Sequence, residues 1–301
     1  MIAVPLILAL LAAMSADLNP AKKSLATGDY RSALKALESI PSNDRTGDWY
    51  LCASKAWDGL NDPSKAVQFA QAAIERDPRN EFTHLQLAQI FLSRNTPDAA
   101  FEILSDAKRI FPESVLIRLG LGLALKDMRR YEESAAVLRD CLRMQPHLST
   151  AFDALGGDLL EMGSDDELIA SARQYVAMNT SDYRGHFYLA AGLEKRGAQS
   201  DAESAVRRSI ELNPAFAASR TLLGKILLDG GNLPGAIEEL ESATRLRPDY
   251  SAAHMYLANA YNRAGRKQDF QRETAELARL NELQSRPVPH LLYHRGSRDH
   301  Q

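Results

Sequence analysis

Two cysteines, Cys52 and Cys141, are too few for a disulfide framework or a multi-cysteine metal site in a chain of 301 residues. Aromatic residues make up only 7%, which argues against an all-β fold. Neither sign of charge prevails. With 36 Lys and Arg against 39 Asp and Glu, the net charge is −3, so there is no basic field to collect nucleic acid and no long acidic tail. Catalytic signatures are missing as well: no G-x-x-x-x-G-K-[ST] phosphate loop, no G-x-S-x-G elbow and no H-E-x-x-H zinc pair occurs. Gly120-Leu121-Gly122 opens like a nucleotide fingerprint, but it lies within a helical apolar stripe. What the chain does have is an apolar share of 45%, enough to bury a large core.

Charged side chains are absent from Met1 to Met14, a run that passes through Ala13-Met14-Ser15-Ala16 to the polar Asp17. At about 14 residues the run is short for a membrane span, which needs roughly 20. It has the form of a secretory h-region with a cleavage site after Ser15 or Ala16, although no Lys or Arg precedes it. Residues 1–16 are therefore expected to be a signal peptide, making the protein exported, periplasmic or secreted. An uncleaved anchor and an ordinary apolar first helix are the alternatives. The last would leave the protein cytoplasmic, and membrane contact is expected only through an uncleaved N-terminal segment.

Prolines punctuate the rest at a fixed interval. Pro78, Pro112 and Pro146 are 34 residues apart, and continuing the step reaches Pro214 and Pro248. The missing member falls at Thr180, inside the turn-like Asn179-Thr180-Ser181-Asp182. With proline as place 32, seven gapless units begin at Gly47, Glu81, Val115, Ser149, Tyr183, Ala217 and Ser251. Places 7 and 11 are mostly large and apolar, as in Leu87/Phe91, Leu121/Leu125 and Leu223/Leu227. That spacing marks one face of a helix. Places 8, 20 and 27 are mostly small, as in Ala88/Ala100/Ala107, which lets two helix backbones approach closely. Gly163, Gly197, Gly231 and Gly265 share place 15, where a turn ending the first helix often needs positive φ. Proline at place 32 ends the second helix.

These columns resemble the tetratricopeptide repeat family over residues 47–284. A short degenerate unit, 17–46, precedes them on the strength of Gly28-Asp29-Tyr30-Arg31-Ser32-Ala33-Leu34 and Pro41. The resemblance implies an all-α fold, an α-solenoid (right-handed superhelix) of stacked 34-residue helix-turn-helix repeats, about eight units in all. Residues 285–301 are expected to be a flexible C-terminal tail. The unit 149–182 departs from the pattern. It lacks the proline, carries Leu168 and Tyr175 at small places and has Gly156-Gly157 within its first helix, so a local soft spot or a change of curvature is expected there. The last unit, with Phe270 and Leu277 at small places and a polar second helix, reads as a cap.

Three of the seven histidines, His84, His186 and His254, share place 4, which Tyr50 and Phe152 also fill. The reading is a partly buried aromatic position rather than a metal array. His290 and His294 stand four apart beside Pro287 and Pro289, too poor a helix to present both to a metal. No cofactor and no metal site is expected, and the chain is expected not to be an enzyme, since repeats take up nearly all of it.

In the family the concave surface is lined mainly by first-helix places 2, 5, 9, 12 and 13. Carried over, this puts Phe82, Leu85, Gln89, Leu116, Leu119, Leu123, Lys126, Phe187 and Lys225 in a partner-binding groove. Its first half is an apolar patch, of the kind that marks binding surfaces, unless neighbouring helices bury several of its members. No unit has lysine at place 5, so the carboxylate clamp of some family members is not assembled. The expected function is a non-catalytic protein–protein interaction scaffold that holds a peptide or helix of a partner protein in its concave groove. The alternative is an accessory subunit of a bacterial envelope secretion, polysaccharide or outer-membrane assembly machine. An enzyme with an unrecognised site is the remaining option. Partners are other proteins; neither nucleic acid nor a small-molecule substrate is implied.

Overall fold

The structure, a computed structural model, describes residues 17–284. The readings of residues 1–16 as a signal and of 285–301 as a tail, with His290 and His294, lie outside the described residues. Among the described residues there are sixteen α-helices, one short 3-10 turn and no strand, so the fold is an all-α helical-repeat solenoid. The residues fall into two compact bodies divided after Arg129.

The first body holds α1 (Asn19–Ala26), α2 (Tyr30–Glu38), α3 (Gly47–Gly59), α4 (Pro63–Arg76), α5 (Glu81–Ser93), α6 (Pro97–Ile110) and α7 (Val115–Asp127). The second holds α8 (Tyr131–Met144), α9 (Ser149–Glu161), α10 (Asp165–Met178), α11 (Tyr183–Lys195), α12 (Gln199–Leu212), α13 (Ala217–Asp229), α14 (Leu233–Leu246), α15 (Ser251–Arg263) and α16 (Lys267–Gln284). In all seven full units the first helix occupies places 1–13. The second occupies places 17–30 in six of them and runs on to Gln284 in the last.

Burial follows the columns. Place 8 is buried in every unit, from Ser54 to Ala258, and place 20 in every unit but the last, where Phe270 is half-buried. Place 3, which the sequence pattern did not single out, is buried throughout, from Trp49 to Ala253. Caps fix several helix starts: the side chains of Asp62, Ser114 and Asp182 accept from the backbone N–H groups of Lys65, Ile117 and Arg184. Such a cap contributes about 1 kcal/mol.

Place 15 is left-handed in all seven units. Gly163, Gly197, Gly231 and Gly265 have φ of 65°, 75°, 82° and 72°, and the same place holds Asn61, Asn95 and Arg129 at 61°, 55° and 58°. The geometry is therefore a property of the repeat. Glycine only makes it cheap.

The irregular unit compensates for its own departures. Without a proline, α10 still stops at Met178, where the Asn179 N–H donates to the Tyr175 carbonyl at 2.8 Å. Tyr175, too large for place 27, stacks on Phe152 with ring centroids 3.7 Å apart and planes 4° apart. Gly156 leaves the space that the Tyr188 ring fills; a Cβ there would lie 2.6 Å from the ring. In α16, Gln271, Arg272, Thr274 and Arg279 face water, the pattern of a terminal repeat.

Candidate partner-binding surface

In the first body, α5 and α7 each carry predicted groove residues at i, i+3 and i+7, which places them on one face of each helix. Phe82 is 54% exposed and Leu116 is 41% exposed, at the same place in successive units. Gln89 is exposed as well. Leu85, Leu119, Leu123 and Lys126 are half-buried, because neighbouring helices cover part of each. Of the apolar residues predicted in this groove, Phe82 and Leu116 at place 2 are exposed, and Leu85, Leu119 and Leu123 at places 5 and 9 are less so.

The wide concavity of this body lies one unit earlier than the patch. It has a volume of about 1010 Å³ and is lined by Lys22 and Leu25 of α1, Leu51, Cys52 and Lys55 of α3, and Phe82 of α5. Phe82 joins concavity and patch. The sequence places α1 within the short degenerate unit 17–46, but carries no groove residues onto it. Lys22 Nζ meets Asp48 Oδ2 at 3.2 Å, and Asp48 Oδ1 accepts from Asn80 Nδ2 at 3.1 Å. Exposed pairs of this kind add little stability. Burial pushes the Cys52 thiol up against the pull of Lys22 and Lys55.

The two predicted residues of the second body are engaged within it. Phe187 is half-buried between Tyr188 and Phe216, with ring centroids at 5.0 and 5.2 Å. Lys225 bonds to Glu194 and, at 3.1 Å, to Asp229. Burial disfavours the Lys225 ammonium, but the bonds to these carboxylates outweigh it and raise the pKa.

Place 4 has a role that the sequence reading missed. His84 Nε2 lies 3.1 Å from the Pro78 carbonyl, Arg220 Nε donates to that of Pro214 at 3.1 Å, and His254 Nε2 lies 2.9 Å from that of Pro248. Arg118 donates to the Pro112 carbonyl. In four units, then, place 4 reaches the carbonyl of the place-32 proline of the preceding unit. The position is a donor position, and the mixture of His and Arg is its signature. Among the described residues no three His, Cys, Asp or Glu side chains gather as a metal site, and no helix is long and apolar enough to cross a membrane.

Two family profiles described as tetratricopeptide repeat match residues 117–148 and, in two overlapping stretches, 188–243 and 221–279. The chain is a tetratricopeptide repeat protein. Its fold supports a protein–protein interaction scaffold, in a family that is typically non-catalytic. It is 34% identical over 110 residues to the cytochrome c-type biogenesis protein CycH of Bradyrhizobium diazoefficiens, covering 36% of this chain and 30% of that protein. It is 28% identical over 258 residues to the protein FlbA of Caulobacter vibrioides, covering 82% and 41%. The chain thus spans less than half the length of either relative. Among solved structures, the APC/C hetero-tetramer Cut9–Hcn1 superposes with a TM-score of 0.58 at 16% identity, over 84% of this chain and 50% of that one. That likeness concerns the fold alone.

Proposed function

We propose that this tetratricopeptide repeat protein holds an extended or helical segment of a partner protein against the first-helix face of its first body. The segment seats on Phe82 and Leu116 and reaches into the concavity between α1, α3 and α5. The observation that carries this reading is the exposure of Phe82 at 54% on the rim of the 1010 Å³ concavity, with Leu116 at 41% one unit along. A large apolar side chain left in water at a groove rim is the usual anchor of an interface. Gln89 and Lys126 supply the polar border. Phe187 and Lys225 of the second body would contact a partner only where it displaces their internal contacts.

The test is a binding titration against the partner, once captured, with Phe82→Asp and Leu116→Asp beside the control Ile110→Asp. Ile110 is 44% exposed on the second helix of its unit. A weakening of tenfold or more, about 1.4 kcal/mol or above, by the first two alone supports the groove. Equal weakening by Ile110→Asp refutes it.

One observation favours a second reading, the likeness to a protein of cytochrome c-type biogenesis. In that reading the chain is an accessory subunit of an envelope assembly system, exported by its N-terminal segment. Co-purification with a membrane complex after gentle solubilisation would support it; recovery only as a free protein in the soluble fraction counts against it.

A further inference from the structure

Two grooves open between second helices of the second body, and α10 stands between them. The first lies between α8 and α10, has a volume of about 680 Å³ and is lined at its base by the buried Phe152, Leu155 and Tyr175. Met178 of α10, 43% exposed, stands at its edge. The second lies between α10 and α12, measures about 630 Å³ and has His186, Leu189 and Leu193 of α11 at its base. Both flank the helix whose places 20 and 27 hold Leu168 and Tyr175. Side chains of that size hold α10 off α9, and the two are in looser contact than the helix pairs of the three units that follow.

The walls share a sign. Arg139 and Arg143 line the first groove, and Arg173, Arg207 and Arg208 the second, against the carboxylates of Asp140, Asp201 and Glu211. Four of the arginines already hold a carboxylate. Arg139 pairs with Glu167 and Arg207 with Glu203, each at 2.7 Å, Arg208 with Glu211 at 2.9 Å, and Arg143 with Asp140. Arg173 has no hydrogen bond or ion pair among the described residues. Asp201 does not serve it. That carboxylate lies in the first turn of α12, at the positive end of the helix, six residues and about 9 Å along the helix from Arg207. Burial, and after it the charge of Arg208, hold the His186 imidazole below its ordinary range, so the second groove already disfavours a further cation.

We propose that α10 and its two grooves form a second docking surface, for an extended acidic segment of a partner protein that crosses α10, seats an apolar side chain in the first groove and sets a carboxylate beside Arg173 in the second. The apolar base of the first groove selects the anchor, and the excess of arginine selects the sign of the charge. A helix with its side chains is about 10–12 Å across, so the two anchors fall roughly three or four residues apart in an extended chain. The exposed Ala170 and Ala177, on the same face of α10 as Arg173 and Gln174, keep the crest low where the segment crosses. This surface is independent of the first-helix face of the first body.

A synthetic peptide repeating Leu and Glu at that spacing in a Gly-Ser background tests this on the full chain, beside counterparts with Lys for Glu and with Ser for Leu. Binding is followed by amide chemical shifts. The acidic peptide should bind about threefold to fivefold more tightly than the Lys peptide, the size of an exposed ion pair, and shift residues 171–178 and 204–211. The Ser peptide should not bind; affinity kept without Leu refutes the apolar anchor. Arg173→Glu should reverse the preference for acid. Arg245→Glu, an equal change of charge at an exposed arginine of α14 that lines neither groove, should leave it in place. Equal affinity for the acidic and basic peptides, equal responses of the two variants, or shifts confined to the first body overturn the proposal. If Arg173→Glu misfolds, Arg173→Gln decides: a narrowed preference supports the surface and an unchanged one refutes it.

Discussion

Arg129 is the most informative single position for the backbone argument. It occupies place 15 with φ of 58°, where four other units have glycine. A non-glycine residue in the left-handed region costs roughly 1–2 kcal/mol, less for Asn, whose short polar side chain tolerates it. Glycine would relieve that cost but adds about 0.5–1 kcal/mol of unfolded-state freedom. Arg129→Gly should therefore stabilise by about 0.5–1 kcal/mol. Asn61→Gly and Asn95→Gly should change little. The reverse substitution calibrates the series. At Gly163, Gly197, Gly231 and Gly265 an added Cβ meets nothing within 4 Å, so each Gly→Ala loss reports backbone conformation alone. Each should cost about 1 kcal/mol, read as midpoint shifts in urea at unchanged slope. Destabilisation by Arg129→Gly, or tolerance of alanine at Gly197, would refute the account of place 15.

Thr180→Pro should restore the missing punctuation and stabilise by about 0.4–1 kcal/mol in thermal unfolding. Asn179 has φ −129° and ψ 61°, close to the −121° and 66° of Phe111 before Pro112, so the backbone is already suited; a lowered melting temperature would show that it is not. Gly156→Ala drives a methyl group to 2.6 Å from the Tyr188 ring and should cost about 1–3 kcal/mol, measured by urea unfolding. A neutral outcome would mean that the aromatic cluster is loosely packed. Trp49→Phe removes the indole N–H that donates to the buried Leu37 carbonyl at 3.0 Å, and should cost about 1–3 kcal/mol in the first body. If the midpoint does not move, water replaces that donor.

The parts of the fold that were legible in the sequence are those that repeat. A 34-residue proline interval and columns at places 7, 8, 11 and 20 predict helix bounds, because close packing of identical units leaves each column one tolerable size. Gly156 and Tyr175 looked like faults in their columns. In three dimensions Gly156 makes room for Tyr188 and Tyr175 stacks on Phe152, contacts no single column contains. Place 4 was read as aromatic because Tyr50, Phe152 and three histidines share a ring, whereas Arg118 and Arg220, with His84 and His254, bond to the proline carbonyl of the preceding unit. The groove was harder still. Phe82 and Leu116 are exposed as the carry-over implied, while Leu85, Leu119 and Leu123 are partly covered by neighbours, whose reach the sequence does not state. The concavity beside Phe82 is lined partly by Lys22 and Leu25 of α1, whose unit is too degenerate for family groove places to be carried onto it.

In the proposed function the partner segment lies on the first-helix face of the first body. A photo-crosslinker placed at Phe82 in residues 17–301, with a second variant carrying it at Ile110, tests this most directly once the partner has been identified and purified. Crosslinks from Phe82 to one short apolar segment of the partner, competed by a peptide of that segment and absent from Ile110, are the predicted result. Crosslinking of that segment from Ile110 and not from Phe82 would contradict the account and move the binding surface to the second-helix side.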